Sequence, residues 1–493
     1  MSLCQPSGSD CDETTALRAP AFRMAEINQP LELTHKEQHT LESYLRKCDR
    51  QLLLYLCIGY ATDSLNKMAL SNAKIAGLTT DLDLHGYDIN TALGAYYLGS
   101  FLFQLPSNLI LKRARPRYWL SIVMLSWSLV TMCTALVQNA TQLALCRFLF
   151  GAVQAGYVTG CLYYISYWYP RDRVRRRIGF FFASAGIGGI LVGPLCSLLS
   201  VVEVEGIRPW QLIFVIIGLV SLCWGVLGPS VLQDFPDTAT FITEDERCLI
   251  TRIMVCQNTL ASDRKISRKQ IFLALGDWKV MLWTVIDFCA NAATQVNGLF
   301  GPTIIAGQGY SPHVAQALSA LTNFMAFSGM ASIAYVEKVV GGSSVAIAIS
   351  NLLTISGFVL ALGAEAGGYR MAALFLFSFA SPQPAAHGPA WMMANMQGST
   401  KPAMAAAVVS AFGGLGPLAT AFVYRDQDSP RFVLGHSVCL GMTVACLLTT
   451  LLLRVALRRE NRRRDQSHDE VFGLSNEEIL DLADNHPDFR YKL

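Results

Sequence analysis

Apolar runs of about 20 residues recur along almost the whole chain, from residue 51 to residue 454. A run of that length crosses the hydrocarbon core of a bilayer as an α-helix, which satisfies its backbone polar groups internally. About twelve such runs are present. They fall near 52–71, 90–111, 118–137, 141–163, 177–199 and 211–231, then 279–301, 314–337, 343–363, 370–392, 403–423 and 432–453. Only 15% of the 493 residues are charged, against roughly 25% in soluble domains. The pattern predicts an all-α, multi-pass membrane protein with twelve transmembrane helices.

A polar stretch separates the sixth run from the seventh and divides the apolar part into two sets of six. The expected organisation is a tail over 1–50, a six-helix bundle over 51–232, a central loop over 233–277, a second bundle over 278–454 and a tail over 455–493. Two six-helix bundles around a shared central site is the layout of secondary transporters. Basic clusters assign the sides. Lys112, Arg113, Arg115 and Arg117 follow the second run, Arg171, Arg173 and Arg175 to Arg177 follow the fourth, and Arg458, Arg459 and Arg462 to Arg464 follow the last. Both tails and the central loop are therefore expected in the cytosol. The tails are read as flexible: residues 1–45 are polar without periodicity and 455–493 are highly charged. The polar N-terminus has no apolar signal-peptide core. Asn139, in Asn139-Ala140-Thr141, fits a glycosylation sequon on the opposite side, although its closeness to the membrane argues against use.

Several function classes drop out. A net charge of +3 does not argue for nucleic acid as a partner. The 14 cysteines are scattered through apolar segments without CxxC spacing, so they read as small core residues, with no metal or cofactor site. No Walker A sequence, HExxH motif or nucleophile elbow is found, which argues against an enzyme or an ATP-driven pump. The Gly186-Ile187-Gly188-Gly189 run superficially resembles a phosphate loop, but it lies inside an apolar run, where close helix packing accounts for it.

The remaining polar residues at membrane depth are the candidates for chemistry, because a charge there costs about 3 kcal/mol or more. Arg147 heads a face completed by Gly151 and Gln154 at i+4 and i+7. It either lines a pathway or locks helices together. In the seventh run Asp287, Asn291 and Gln295 share one face. Asp287 is a candidate proton carrier, or else an acid held by backbone and water. In the tenth run His387, Trp391 and Asn395 repeat the spacing among Pro382, Pro384 and Pro389, which must break or kink the helix. The imidazole is a candidate solute or proton site, or a packed core residue. Lys67 either offers positive charge to an anion or pairs with Asp63 one turn away. Gln104 and Asn108 share a face around Pro106.

Short motifs then add a resemblance. Arg46-Lys47-Cys48-Asp49-Arg50, Leu105-Pro106-Ser107-Asn108, Tyr167-Trp168-Tyr169-Pro170-Arg171, Asp234-Phe235-Pro236-Asp237, Pro430-Arg431-Phe432 and Phe489-Arg490-Tyr491 together resemble the fungal anion:cation symporters of the major facilitator superfamily, which include allantoate, nicotinate, pantothenate and biotin permeases. The resemblance runs from about residue 46 to the C-terminus. This sequence departs from the family at four intramembrane carboxylates, replaced by Asn66, Gln104, Gln154 and Ile217. That weakens the expectation of standard proton coupling. Gly189-Ile190-Leu191-Val192-Gly193-Pro194 partly resembles the fifth-helix signature of superfamily antiporters, which points weakly toward export.

The combined expectation is a monomeric secondary transporter in the plasma membrane, working by alternating access. Its partners would be the lipid bilayer and a small organic anion or a vitamin- or amide-like metabolite. Lys67, Gln104, Arg147, Gln154, Asn291, Gln295, His387, Trp391 and Asn395 would contact the solute, and Asp287 or His387 would carry any coupled proton. Efflux of a secondary metabolite and a transporter-like nutrient sensor are the alternatives.

Overall fold

The computed structural model describes residues 34–202, 204–256, 268–363, 367–396, 400–466 and 489–493. The first helix, α1, spans His35–Cys48. The N-terminal lobe follows, with α2 over Leu54–Ala73, α3 over Asp88–Arg113, α4 over Pro116–Cys133, α5 over Ala140–Gln154, α6 over Tyr157–Trp168, α7 over Arg171–Leu199 and α8 over Pro209–Val231. Two short helices occupy the connection, α9 over Glu244–Cys256 and α10 over Arg268–Leu275. The C-terminal lobe comprises α11 over Trp278–Ala306, α12 over Pro312–Val340, α13 over Ser343–Gly363, α14 over Gly367–Ala380, α15 over Pro382–Ala394, α16 over Thr400–Gly413, α17 over Gly416–Ala421 and α18 over Val433–Gln466. Among the described residues there is no strand, and the helices make twelve passes, because α5/α6, α14/α15 and α16/α17 are each one broken pass.

The breaks have local causes. Between α5 and α6 the chain passes through Gly156 at φ +83°, a conformation that side chains with a Cβ resist. Between α14 and α15 it breaks at Ser381, just before Pro382, which occupies the first turn of α15 where its missing N–H is not needed. Prolines also open α4, α8 and α12. Elsewhere side chains cap the ends: the Asn139 Oδ1 accepts from the Gln142 N–H at 2.9 Å to start α5, so that exposed asparagine serves as a helix cap.

The outside of the bundle is a belt of exposed apolar side chains, among them Ile122, Leu129, Val226, Phe324, Leu448 and Leu452. So much apolar surface is unstable in water and belongs in lipid. The large tryptophans instead lie inside, with Trp127, Trp168, Trp210, Trp283 and Trp391 fully buried.

The first helix, α1, and the described C-terminal residues 489–493 lie on one side of the bundle, called here the terminal face; the other is the distal face. The sequence leads one to expect an unstructured tail up to residue 45, yet α1 forms. Thr34 and Glu37 make a reciprocal capping box, and Leu41, Tyr44, Leu45 and Cys48 bury one stripe. This helix docks on α9 through Glu246, which accepts from Lys47 and from the Ser43 hydroxyl, each at 2.8 Å, and through a Glu37–Arg252 ion pair. Arg177 clamps Asp49 with both carboxylate oxygens, at 2.7 and 2.8 Å, while lying over the Tyr169 ring. Residues 455–466 were also expected to be tail, and they extend α18 instead. The remaining tail expectations, over 1–33 and 467–488, lie outside the described residues.

Candidate functional site

The two lobes touch along α7 against α12 and along α3 against α16 and α17. Small residues permit the first contact. A Cβ on Gly193 would stand 2.2 Å from the Gln316 carbonyl oxygen of α12, and, within the N-terminal lobe, one on Gly188 would stand 2.2 Å from the Ala61 carbonyl oxygen of α2. The glycine run of α7 is therefore a packing surface, as close-approach glycines in membrane helices usually are. Interlobe hydrogen bonds follow a gradient of depth. Near the distal face Asn90 donates to the Ala421 and Tyr424 carbonyls, the latter at 3.1 Å, and Gln316 donates to the Asn72 carbonyl at 3.2 Å. At mid-depth Gln104 donates to the Ser410 hydroxyl at 2.7 Å. Among the described residues no interlobe hydrogen bond is found at the terminal face.

Polar groups gather where α2, α3 and α5 meet inside the N-terminal lobe. Lys67 pairs with Asp63 at 2.7 Å. The Asp63 side chain is 0% exposed and that of Lys67 is 26% exposed. The carboxylate is thus sealed inside, whereas the lysine side chain stays partly exposed. Gln154 donates to the same Asp63 oxygen at 3.4 Å, and the Tyr96 hydroxyl donates to the Gln154 Oε1 at 3.1 Å. The Lys67 ammonium also lies 5.9 Å from the centroid of the Tyr60 ring. Asn66 turns the other way and donates to Ser221 on α8 at 2.6 Å.

Arg147 is buried one helix away. Its guanidinium sits over Phe214 at 5.3 Å and Phe150 at 5.9 Å, and its Nε has no hydrogen-bond partner. The aromatic faces supply part of the stabilisation that water would give. The geometry is that of a charge held within the lobe.

On the facing lobe, α11 carries Asp287, Asn291 and Gln295 on one face. Asp287 is buried and lies directly against α16, where a Cβ on Gly413 would stand 1.9 Å from its Oδ2. Asn291 donates to the Asp287 backbone carbonyl at 2.9 Å, and both Asn291 and Gln295 remain half-buried. Gly298 of α11 touches Met68 of α2, so Gln295 and Lys67 sit at similar depths on opposing lobes. His387 is buried in α15 with its Nε2 unpartnered.

Two of the expected contact residues are engaged elsewhere. The Trp391 Nε1 donates to the Lys492 carbonyl at 2.8 Å. Asn395 donates to that carbonyl at 2.9 Å and accepts from the Lys492 N–H at 2.6 Å. They therefore anchor the C-terminal residues at the terminal face. The i, i+4, i+8 spacing from His387 is correct, but α15 ends at Ala394, so the stripe runs off the end of the helix. Tyr491 completes the anchor: its hydroxyl receives Lys279 at 2.7 Å and its backbone exchanges two hydrogen bonds with Asn461. Sequence reasoning missed Tyr60, Tyr96 and Ser410 as polar neighbours. Tyr96 lies five residues from the polar Thr91 and carried no signal beyond the Tyr96-Tyr97 pair. The Asn108 side chain lies outside the described residues.

Twelve helical passes in two lobes and an apolar belt define a multi-pass membrane protein. The model of the Major Facilitator Superfamily matches residues 56–424, and the chain belongs to that superfamily. It is 26% identical to the major facilitator-type transporter hxnP of Emericella nidulans over 464 residues, which cover 92% of this chain and 93% of that one. It is also 26% identical to the high-affinity nicotinic acid transporter of Saccharomyces cerevisiae, covering 92% of this chain and 85% of that one. Among solved structures, a D-xylose-proton symporter shares the fold at a TM-score of 0.61 and 13% identity, over 82% of this chain and 96% of that one. The chain is thus a secondary transporter of a small organic solute.

Proposed function

We propose that this transporter moves a small organic anion, of the nicotinate or tartrate kind or an amide-bearing relative, across the plasma membrane by alternating access, with both termini in the cytosol. The observation that carries the reading is Lys67, a cation at membrane depth whose side chain is partly exposed and which is anchored by a fully buried carboxylate. Asp63 fixes the ammonium in place and takes one of its donors, leaving others for a solute carboxylate. Asn291 and Gln295 offer neutral hydrogen bonds from the opposite lobe at a similar depth. Arg147, Gln104, Gln154 and His387 complete the polar set, with Arg147 adding positive potential from behind its aromatic cover. Two relatives support the solute class by name: the nicotinic acid transporter above, and a putative tartrate transporter of Agrobacterium vitis that is 27% identical over 86% of this chain. Basic clusters at the terminal face support its cytosolic placement.

In this reading the lobes rock about the mid-depth Gln104–Ser410 contact. The distal contacts of Asn90 and Gln316 close the outer side while the solute faces the cytosol, and they part when it faces outward. Coupling rests on Asp287, the buried carboxyl of the opposing lobe, because the four family carboxylates replaced here are no longer available to take up protons.

The test is uptake of labelled nicotinate and tartrate into vesicles containing the purified chain, with and without an imposed pH gradient. Uptake is expected to be saturable and to rise with inward proton flow, and Lys67→Gln should raise KM at least tenfold while insertion persists. Flux indifferent to the gradient removes the coupling claim. An unchanged KM in Lys67→Gln removes the site. Cells that lose labelled solute rather than gain it convert the reading to efflux.

A further inference from the structure

A groove of about 520 Å³ opens on the lipid-facing side of the N-terminal lobe, near the terminal face, where the end of α1, the start of α2 and the end of α8 meet. It is far from the interlobe contacts. Its lining joins two chemistries: Lys47 and Arg50 at and just after the end of α1, and Leu54, Tyr55 and Trp224 on the membrane helices α2 and α8.

The apolar end is a rigid floor. Tyr55 and Trp224 stack with centroids 5.1 Å apart and planes 17° from parallel. They also exchange hydrogen bonds with each other's backbone, Tyr55 Oη to the Trp224 carbonyl at 3.0 Å and Trp224 Nε1 to the Tyr55 carbonyl at 3.2 Å. Nothing about these rings has to order when a chain lies on them. The neighbouring surface is apolar and exposed: Leu54 is 53% exposed and Leu227, three residues beyond Trp224 on the same face of α8, is 47% exposed. At the charged end, Lys47 shares its ammonium with Glu246 at 2.8 Å while its side chain stays 36% exposed. Arg50 is exposed, and no ion pair to it is found among the described residues. The cations lie at and just after the end of α1, and the paired aromatics lie on the membrane helices α2 and α8.

We propose that this groove binds one anionic glycerophospholipid from the leaflet at the terminal face. The phosphate and acidic headgroup lie against Arg50 and Lys47, and one acyl chain lies along Leu54 and the Tyr55–Trp224 floor. Charge complementarity selects the occupant: a zwitterionic lipid brings a choline cation toward two positive side chains, whereas an anionic headgroup brings none. Aromatic rings at headgroup depth match the glycerol region. Bound there, the lipid ties α1 and α2 to α8, on the side of the lobe opposite the solute face.

The test is native mass spectrometry of the full chain released from nanodiscs of phosphatidylcholine with phosphatidylinositol. The expected result is one phosphatidylinositol retained in preference to phosphatidylcholine, with retention falling about fivefold in Arg50→Gln and falling also in Trp224→Leu. Arg50→Lys should keep most of the preference. Arg46→Gln, an exposed charge on α1 outside the groove, should leave it unchanged. Equal retention of the two lipids, a loss in Arg46→Gln as large as in Arg50→Gln, or full displacement by inorganic phosphate alone overturns the proposal. A thermal midpoint for Arg50→Gln in phosphatidylcholine equal to that of the parent chain shows that the loss is of lipid and not of fold.

Discussion

Replacing Asn395 with alanine separates two roles that the sequence alone leaves entangled. In the structure Asn395 is fully buried and makes two hydrogen bonds to the backbone of Lys492, at 2.9 and 2.6 Å, which together dock the C-terminal residues on the C-terminal lobe. A net hydrogen bond contributes about 0.5–1.5 kcal/mol, so Asn395→Ala should cost about 1–3 kcal/mol. The cost includes the Lys492 N–H and carbonyl left short of partners, although Trp391 still donates to that carbonyl at 2.8 Å. The stability is read from reversible unfolding in mixed micelles, and KM from solute uptake by the same preparation. A double-mutant cycle isolates the contact. In a chain lacking Tyr491–Leu493 the partner backbone is gone, and Asn395→Ala should then cost well under half as much. The solute KM should be unchanged in every variant. An equal cost with and without the C-terminal residues, or a raised KM at unchanged stability, refutes the assignment of Asn395 to the anchor and returns it to the solute path.

Two further outcomes follow from the geometry. Gly413→Ala places a Cβ 1.9 Å from the Asp287 Oδ2, so α11 and α16 must separate; a loss of about 1–3 kcal/mol in unfolding stability is expected, recovered in part when Asp287→Ala is added to the same chain, and failure of that rescue of stability rejects the contact. The docking of α1 on α9 should weaken in acid. Hydrogen bonds from Arg252 and Thr34 bring the Glu37 carboxyl to about 2; burial pushes Glu246 up, but hydrogen bonds from Lys47, Thr243 and Ser43 outweigh it and hold that carboxyl below its usual 4.5. Both are depressed in the folded state, so their contribution is full above about pH 4.5 and declines as pH falls toward 2. A spin label at His39 should stay immobile from pH 7 to 5 and gain mobility below 4; mobility independent of pH contradicts the carboxylate clamp.

Counting apolar runs was enough for the twelve passes and their division into two sets of six, because lipid imposes a length and an internal hydrogen-bonding rule on every segment. The glycine run of α7 was likewise legible as a packing surface, since an apolar context leaves a phosphate loop no role. The pairing of Asp63 with Lys67 was one of two open readings, as both lie on one helix at a spacing that permits it. Other features needed the folded chain. Arg147 turned toward Phe150 and Phe214, and nothing in its own helix announces a ring from α8. Trp391 and Asn395 continued a polar stripe on paper, yet their partner is Lys492, about a hundred residues away, and only folding brings the two together. Tyr96 and Ser410 gave no signal because a lone hydroxyl in an apolar run is ordinary. A helical period reports which residues share a face, but which face meets lipid, a neighbouring helix or the opposing lobe depends on how twelve helices rotate about their own axes. Contacts between segments far apart in the chain set that rotation.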